Sequence, residues 1–248
     1  EYNGKNYHGW QRQDNGVTVQ EVLEVSMSNV LGKEIVLFGC GRTDTGVHAR
    51  DFYAHFDYDE LEKEEIDFLI KKLNSYLPYD INIKELLKVK SDANARFSAI
   101  SRTYKYYIST TKNPFNCDFS YYNPYKLNVE KMNTAAKTLY QYTDFSSFCK
   151  SKNDAYTHEC RIMFARCEEK KDYIVFTIKA NRFLRNMVRA IIGTLIEVGR
   201  EKMTVDDFMK VIEEKDRRKA GESMPANALF LEEVEYDKRI FLEKMFIY

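Results

Sequence analysis

The chain has 248 residues, 44% of them hydrophobic and 31% charged, and its 38 Lys and Arg are balanced by 38 Asp and Glu to a formal net charge of zero. That is enough chain for one large domain or two of ordinary size, and the mixture is that of a folded cytoplasmic protein rather than a disordered or membrane one. A globally basic nucleic-acid binder is excluded, leaving only local patches for an anionic partner, and no apolar run approaches the roughly 20 residues of a bilayer span.

In chain order, Glu1 to Gly4 reads as the tail of an opening strand; because Glu1 is not a methionine, residues are expected to precede it. Thr18-Val-Gln-Glu21 is a capping box, after which Val19, Val22, Leu23, Met27 and Val30 recur at helical spacing as far as Gly32. Glu34 to Cys40 is apolar and β-rich and Val47 to Phe56 alternates, which predicts two strands joined by a flexible turn fenced by Gly39, Gly41 and Gly46. A helix is predicted from Lys63 to Leu77, with Ile66, Leu69, Ile70, Leu73 and Leu77 on one face and Pro78 as its stop. A strand over Ile81 to Val89 completes β-α-β-β-α-β, the ferredoxin-like order.

The second half reads the same way. Ala99 to Thr110 is a strand, Val129 to Tyr140 a helix, Cys160 to Glu168 and Tyr173 to Ala180 a hairpin, and Phe183 to Val198 a helix. A further helix from near Thr204, burying Phe208, Val211 and Ile212, precedes a closing strand over Leu229 to Tyr236. The expected fold class is therefore α+β, two ferredoxin-like (RRM-like) units with adjoining antiparallel sheets around a central cleft. The first is expected over residues 1–98 and the second over residues 99–248, and no Pro-rich or Gly-Ser linker separates them.

Charge and metal-ligating residues narrow the chemistry. Residues 57–67 are heavily acidic, a pattern that usually marks a solvated face, whereas residues 95–112 and 181–193 contain no carboxylate. Cys40, Cys117, Cys149, Cys160 and Cys167 are odd in number and lack paired zinc spacing, so reduced thiols are expected. His8, His48, His55 and His158 form no i, i+4 pair, so a metal site is not expected.

Asp44, in the glycine-fenced turn, is the first candidate for chemistry, because a loop carboxylate without bulky walls can approach a substrate. A guanidinium two residues away, on Arg42, would lower its pKa by roughly 1 to 3 units and keep it ionised as nucleophile or base. Asp44-Thr45-Gly46 also spells the triplet of aspartic proteases, but no second triplet exists and a neighbouring arginine opposes the shared proton those enzymes need. Tyr104 lies in a strand where Arg102, Lys105 and tyrosines interleave, a pattern suited to stacking on bases and meeting phosphates, though also ordinary strand composition. On the predicted helix from Phe183, Arg182, Arg185 and Arg189 follow at three and four residues, a repulsive stripe that points to an anionic partner.

With these residues in view, the chain resembles the tRNA pseudouridine synthase A family, whose signature GRTDxGVHA stands here as Gly41-Arg-Thr-Asp-Thr-Gly-Val-His-Ala49. The likeness runs through YHGWQRQ (Tyr7 to Gln13), VQEVLE (Val19 to Glu24), ARFSA (Ala95 to Ala99), RTYKY (Arg102 to Tyr106), DFSSF (Asp144 to Phe148) and FLRNMVRAIIGTLIEVG (Phe183 to Gly199). Thr45 stands where the family often has alanine, and Ala228 where it usually has glycine.

The resemblance implies an isomerase that converts uridine to pseudouridine at positions 38, 39 and 40 of the tRNA anticodon stem-loop, as a cytoplasmic homodimer without cofactor, metal or membrane attachment. It implies that Asp44 is the catalytic carboxylate, that Tyr104 packs against the target base, that Arg189 pairs with Asp44, and that Arg42 helps to displace the base from its stack. Arg102, Lys105, Arg182 and Arg185 are expected to hold RNA phosphates. Whether Asp44 attacks the sugar, attacks the base or removes a sugar proton is open, and a non-catalytic RNA-binding protein of two RRM-like units is the other reading.

Overall fold

The computed structural model describes residues 1–59, 61–150 and 157–242, and shows a mixed α+β protein with a multi-stranded sheet and, among the described residues, five α-helices. Two compact units are formed, one by Glu1–Ile100 together with the segment from Glu233, the other by Ser101–Glu232. The chain passes between them inside strand β4 (Ala99–Ser109) and again inside strand β8 (Leu229–Tyr236).

In the first unit the two predicted helices form where their caps place them. Helix α1 (Val19–Leu31) begins where the Thr18 hydroxyl accepts the Glu21 N–H, and ends at Gly32, whose φ of 70° is the left-handed conformation glycine adopts without steric cost. Helix α2 (Lys63–Tyr76) starts with a capping box between Glu62 and Glu65, and Glu64 and Glu65 meet the positive end of its dipole. Much of the acidic run 57–67 is thus a helix start rather than only a solvated face; residue 60 of that run lies outside the described residues. Between the helices, Met27, Leu69 and Leu73 pack with Ile35 and Leu37, each large side chain contributing about 1.5–3 kcal/mol by burial.

The three long strands predicted in this unit are not formed. Among the described residues before β4, only β1 (Phe38–Gly39), β2 (His48–Ala49) and β3 (Ala54–His55) are regular strands, with β1 antiparallel to β3, and the expected strand over Ile81 to Val89 is reduced to single bridges from Ile81 to Tyr2 and from Val89 to Phe241. Tyr2 likewise makes a bridge rather than a strand, and Gly4–Asn6 is a 3-10 turn. Over Glu34 to Cys40 and Ile81 to Val89, helix side chains take backbone groups that a ladder would use. Leu37 N–H donates to Glu24 Oε1 (3.0 Å) and Leu37 C=O accepts from Gln20 Nε2 (2.9 Å), while Ile35 N–H donates to Ser28 Oγ (2.9 Å). From α2, Asn74 serves both the N–H (2.8 Å) and the C=O (2.7 Å) of Ile83.

The second unit follows the sequence more closely. Strand β4 is succeeded by β5 (Tyr121–Tyr122), α3 (Val129–Thr138), β6 (Ile162–Glu169), β7 (Tyr173–Ala180), α4 (Met187–Gly199), α5 (Val205–Glu213) and β8. The long strands lie in the order β8-β4-β7-β6, with β7 antiparallel to both β4 and β6, and β5 adds in parallel to the end of β4. Asp144 of the DFSSF stretch accepts from the Ser146 N–H and hydroxyl and pairs with Lys215 at 2.8 Å. Burial pushes the Asp144 carboxyl up, but these partners outweigh it and hold it at about 2.

One helix boundary needs correction. Helix α4 starts at Met187, four residues later than predicted, because Asn186 takes a φ of 67° at its N-cap, a left-handed conformation that asparagine tolerates. Apart from Arg189, Glu197 and their surroundings, this helix is buried on all sides. The segment 221–225 lies directly on it: a Cβ on Gly193 would fall 1.9 Å from the Glu222 carbonyl oxygen, and Gly221 N–H donates to Thr194 Oγ1 at 2.9 Å. Gly193→Ala is therefore expected to destabilise the protein by about 2–3 kcal/mol, read as a lowered midpoint of urea unfolding.

Candidate active site

The turn that carries Asp44 is pinned rather than loose, which corrects the expectation of a flexible segment. Val47 N–H donates to the Asp44 carbonyl (3.1 Å) and Gly46 has a φ of 81°, so Asp44-Thr-Gly-Val47 is a type II β-turn with glycine where positive φ is required. Tyr7 to Trp10 brace it: Gly46 N–H donates to the Tyr7 carbonyl and Trp10 N–H to the Thr43 carbonyl, each at 3.3 Å. The Thr43 hydroxyl meets the Tyr2 hydroxyl at 2.8 Å. Gly9, with a φ of 87°, lies so close that a Cβ would stand 2.4 Å from the Thr43 carbonyl oxygen. Beneath, Trp10 stacks on Phe52 with ring centroids 4.0 Å apart, and Cys40, Val47, His48 and Ala49 are buried.

Asp44 is half-buried at the head of this turn and Arg42 is exposed. Among the described residues Arg42 makes no hydrogen bond, ion pair or other electrostatic contact, so the expected Arg42–Asp44 pairing is not formed. The Thr43 hydroxyl turns inward to that of Tyr2 while Arg42 stands exposed, where an ion pair offers little energy to hold a long side chain in place.

In the second unit, Tyr104 is half-buried on β4, opposite Ile178 of β7, and its ring meets Phe183 edge-on at 5.1 Å. Arg189 lies in the first turn of α4 and is clamped to segment 224–225: its Nε donates to the Met224 carbonyl at 2.6 Å, and its carbonyl accepts the Met224 N–H. The next carbonyl, of Pro225, accepts from the Tyr106 hydroxyl at 3.0 Å. Burial raises the Tyr106 phenol well above its ordinary range, against an opposing effect of the nearby Arg189 charge.

The remaining basic residues divide. Arg182 and Arg185 lie in the 181–186 link before α4, so the predicted helical stripe with Arg189 does not exist. Arg185 is exposed, while Arg182 is half-buried beside Cys160, whose thiol burial pushes up to about 12 despite that positive charge. Lys105 is paired with Glu232 at 2.9 Å, and Arg102 donates to the Asn181 carbonyl at 3.0 Å. Among the described residues no cluster of three or more His, Cys, Asp or Glu could hold a metal ion, and no helix is long and apolar enough to cross a membrane.

Sequence reasoning missed the part played by Tyr7, Gly9 and Trp10 in holding the turn, and by Met224 in holding Arg189. A glycine inside an aromatic run, Tyr-His-Gly-Trp, was the available sign of close backbone approach.

A half-buried carboxylate thus stands on a braced turn in one α+β unit, and an arginine and a tyrosine are held on the framework of the other. The family described as tRNA pseudouridine synthase matches residues 1–98 and 135–237. The chain is 53% identical to the tRNA pseudouridine synthase A of Bacteroides fragilis over 243 residues, 97% of this chain and 95% of the relative. It is 50% identical over 240 residues to that of Parabacteroides distasonis (97% and 95%) and 40% identical over 238 residues to that of Caldicellulosiruptor bescii (95% and 97%). The chain belongs to the tRNA pseudouridine synthase family and is an isomerase.

Proposed function

We propose that the chain isomerises uridine to pseudouridine in tRNA, acting on positions 38, 39 and 40 of the anticodon stem-loop, as a cytoplasmic homodimer of two ferredoxin-like subdomains per chain. The observation that carries the reading is the pinned turn presenting Asp44, set in a chain whose relatives bear that activity in their names. The product is an isomer of the substrate, so the reaction consumes no external oxidant, reductant or group donor.

The uridine must first leave its stack, at a cost of a few kcal/mol, before its glycosidic bond can break and C5 can face the sugar. Arg42, exposed and uncommitted, is suited to enter the vacated space. Asp44 is the reacting carboxylate, Tyr104 packs against the extruded base, and Arg189 is the counter-charge of Asp44. A cation in the first turn of a helix faces the positive end of the dipole, so Arg189 gains more than an ordinary surface arginine from an anionic partner. Arg185, exposed, and Arg182 and Arg102, half-buried, hold phosphates.

The test is a pseudouridine map of tRNA from cells lacking the protein. Loss of the modification at positions 38 to 40, restored by the wild-type gene, is the expected outcome; an unchanged map at those positions refutes the assignment.

A further inference from the structure

We infer that the hydrogen bond between Tyr7 and Asp80 positions the Asp44 turn for catalysis, which rests on the reading that Asp44 is the reacting carboxylate. Tyr7 is 5% exposed, and its hydroxyl donates to Asp80 Oδ1 at 2.5 Å, while Asn6 Nδ2 donates to Asp80 Oδ2 at 3.1 Å. Asp80 is itself fixed by main chain, in the turn that follows α2: Ile81 N–H donates to the Pro78 carbonyl, and the Asp80 carbonyl accepts the Asn3 N–H. The ring of Tyr7 is thus anchored at its far end to the C-terminal side of α2.

At its near end, the Tyr7 carbonyl accepts the Gly46 N–H, two residues on from Asp44. That contact, at 3.3 Å, is longer than the usual N–H···O range, so it depends on Tyr7 being held in place rather than holding itself. Burial, with the hydrogen bond and charge of Asp80, keeps the Tyr7 phenol protonated far above its ordinary range, so it stays a donor throughout physiological pH. Tyr7 communicates with Asp44 through backbone, which makes it and Asp80 positioning residues.

The experiment measures kcat, KM, tRNA affinity and melting temperature on the full chain with a transcribed tRNA. The variants are Tyr7→Phe, Asp80→Ala, the two combined, Asp80→Asn, and Asp44→Asn as control. Tyr7→Phe and Asp80→Ala are each expected to lower kcat about tenfold, since a displacement of the reacting group is felt in rate before affinity. The tRNA Kd is expected to stay within about twofold, and the combined variant to be no slower than the worse single one, because both remove one bond. Asp80→Asn retains an acceptor for the Tyr7 hydroxyl and is expected to recover most of kcat. Tyr7→Phe loses a single oxygen, so the test stands even where Asp80→Ala fails to fold. A wild-type kcat in Tyr7→Phe, whatever its melting temperature, or losses that multiply in the combined variant, overturns the proposal. An active Asp44→Asn overturns instead the role given to Asp44; an inactive Asp44→Asn beside a full-rate Tyr7→Phe overturns the positioning role alone.

Discussion

Asp44→Asn is expected to lower pseudouridine formation by at least about a thousandfold, the scale set by removing a carboxylate that acts as nucleophile or base. The substitution keeps size and shape, removes the charge and replaces one carboxylate oxygen by an amide donor. Since the turn is held by main-chain bonds from Asp44, Gly46 and Trp10 rather than by the Asp44 side chain alone, melting temperature and tRNA affinity are expected to stay close to wild type. A filter-binding curve beside a tritium-release assay separates the two effects. Loss of binding in step with turnover would show that Asp44 serves to hold RNA and not to transform it.

Gly9→Ala should come next in size, although Gly9 carries no side chain to lose. At a φ of 87° any other residue is strained by about 1–2 kcal/mol, and the added methyl would stand 2.4 Å from the Thr43 carbonyl oxygen. Relief requires the turn to move away from the Tyr7–Trp10 segment, carrying Asp44 with it. A displacement of about 1 Å is sufficient for about a hundredfold loss of kcat. The expected result is a folded protein with a depressed kcat and a modest fall in melting temperature. Wild-type turnover in Gly9→Ala would mean that the turn tolerates displacement, and that its bracing has no catalytic purpose.

What the sequence made legible follows from how local each determinant is. The bounds of α1 were visible because its cap and terminal glycine act within a few residues, those of α2 because its apolar face runs up to Pro78, and β7 and β8 because each is a short run rich in apolar and aromatic residues. The long strands expected over Glu34 to Cys40 and Ile81 to Val89 were misread because periodicity reports an extended backbone but not which group satisfies it; there Glu24, Gln20 and Asn74 take that place. The start of α4 was misplaced because the apolar pattern continues unbroken through Phe183 and Leu184, whereas the backbone reverses sense at Asn186. For the site, Arg42 and Asp44 were evident from spacing, but their separation was not, since spacing does not show that the Thr43 hydroxyl between them meets a distant Tyr2 while Arg42 stands exposed.

The capture of Leu37 and Ile83 by helix side chains bears on solubility. A peptide group in extended conformation with vacant N–H and C=O invites a foreign strand, and short two-residue ladders leave many such groups to be guarded. Here a carboxylate and two side-chain amides act as stoppers, each seated on a helix and unable to propagate pairing further. At Leu37 and Ile83 the extended backbone is thus blocked by side-chain chemistry, while β2 of the same half is covered by β8.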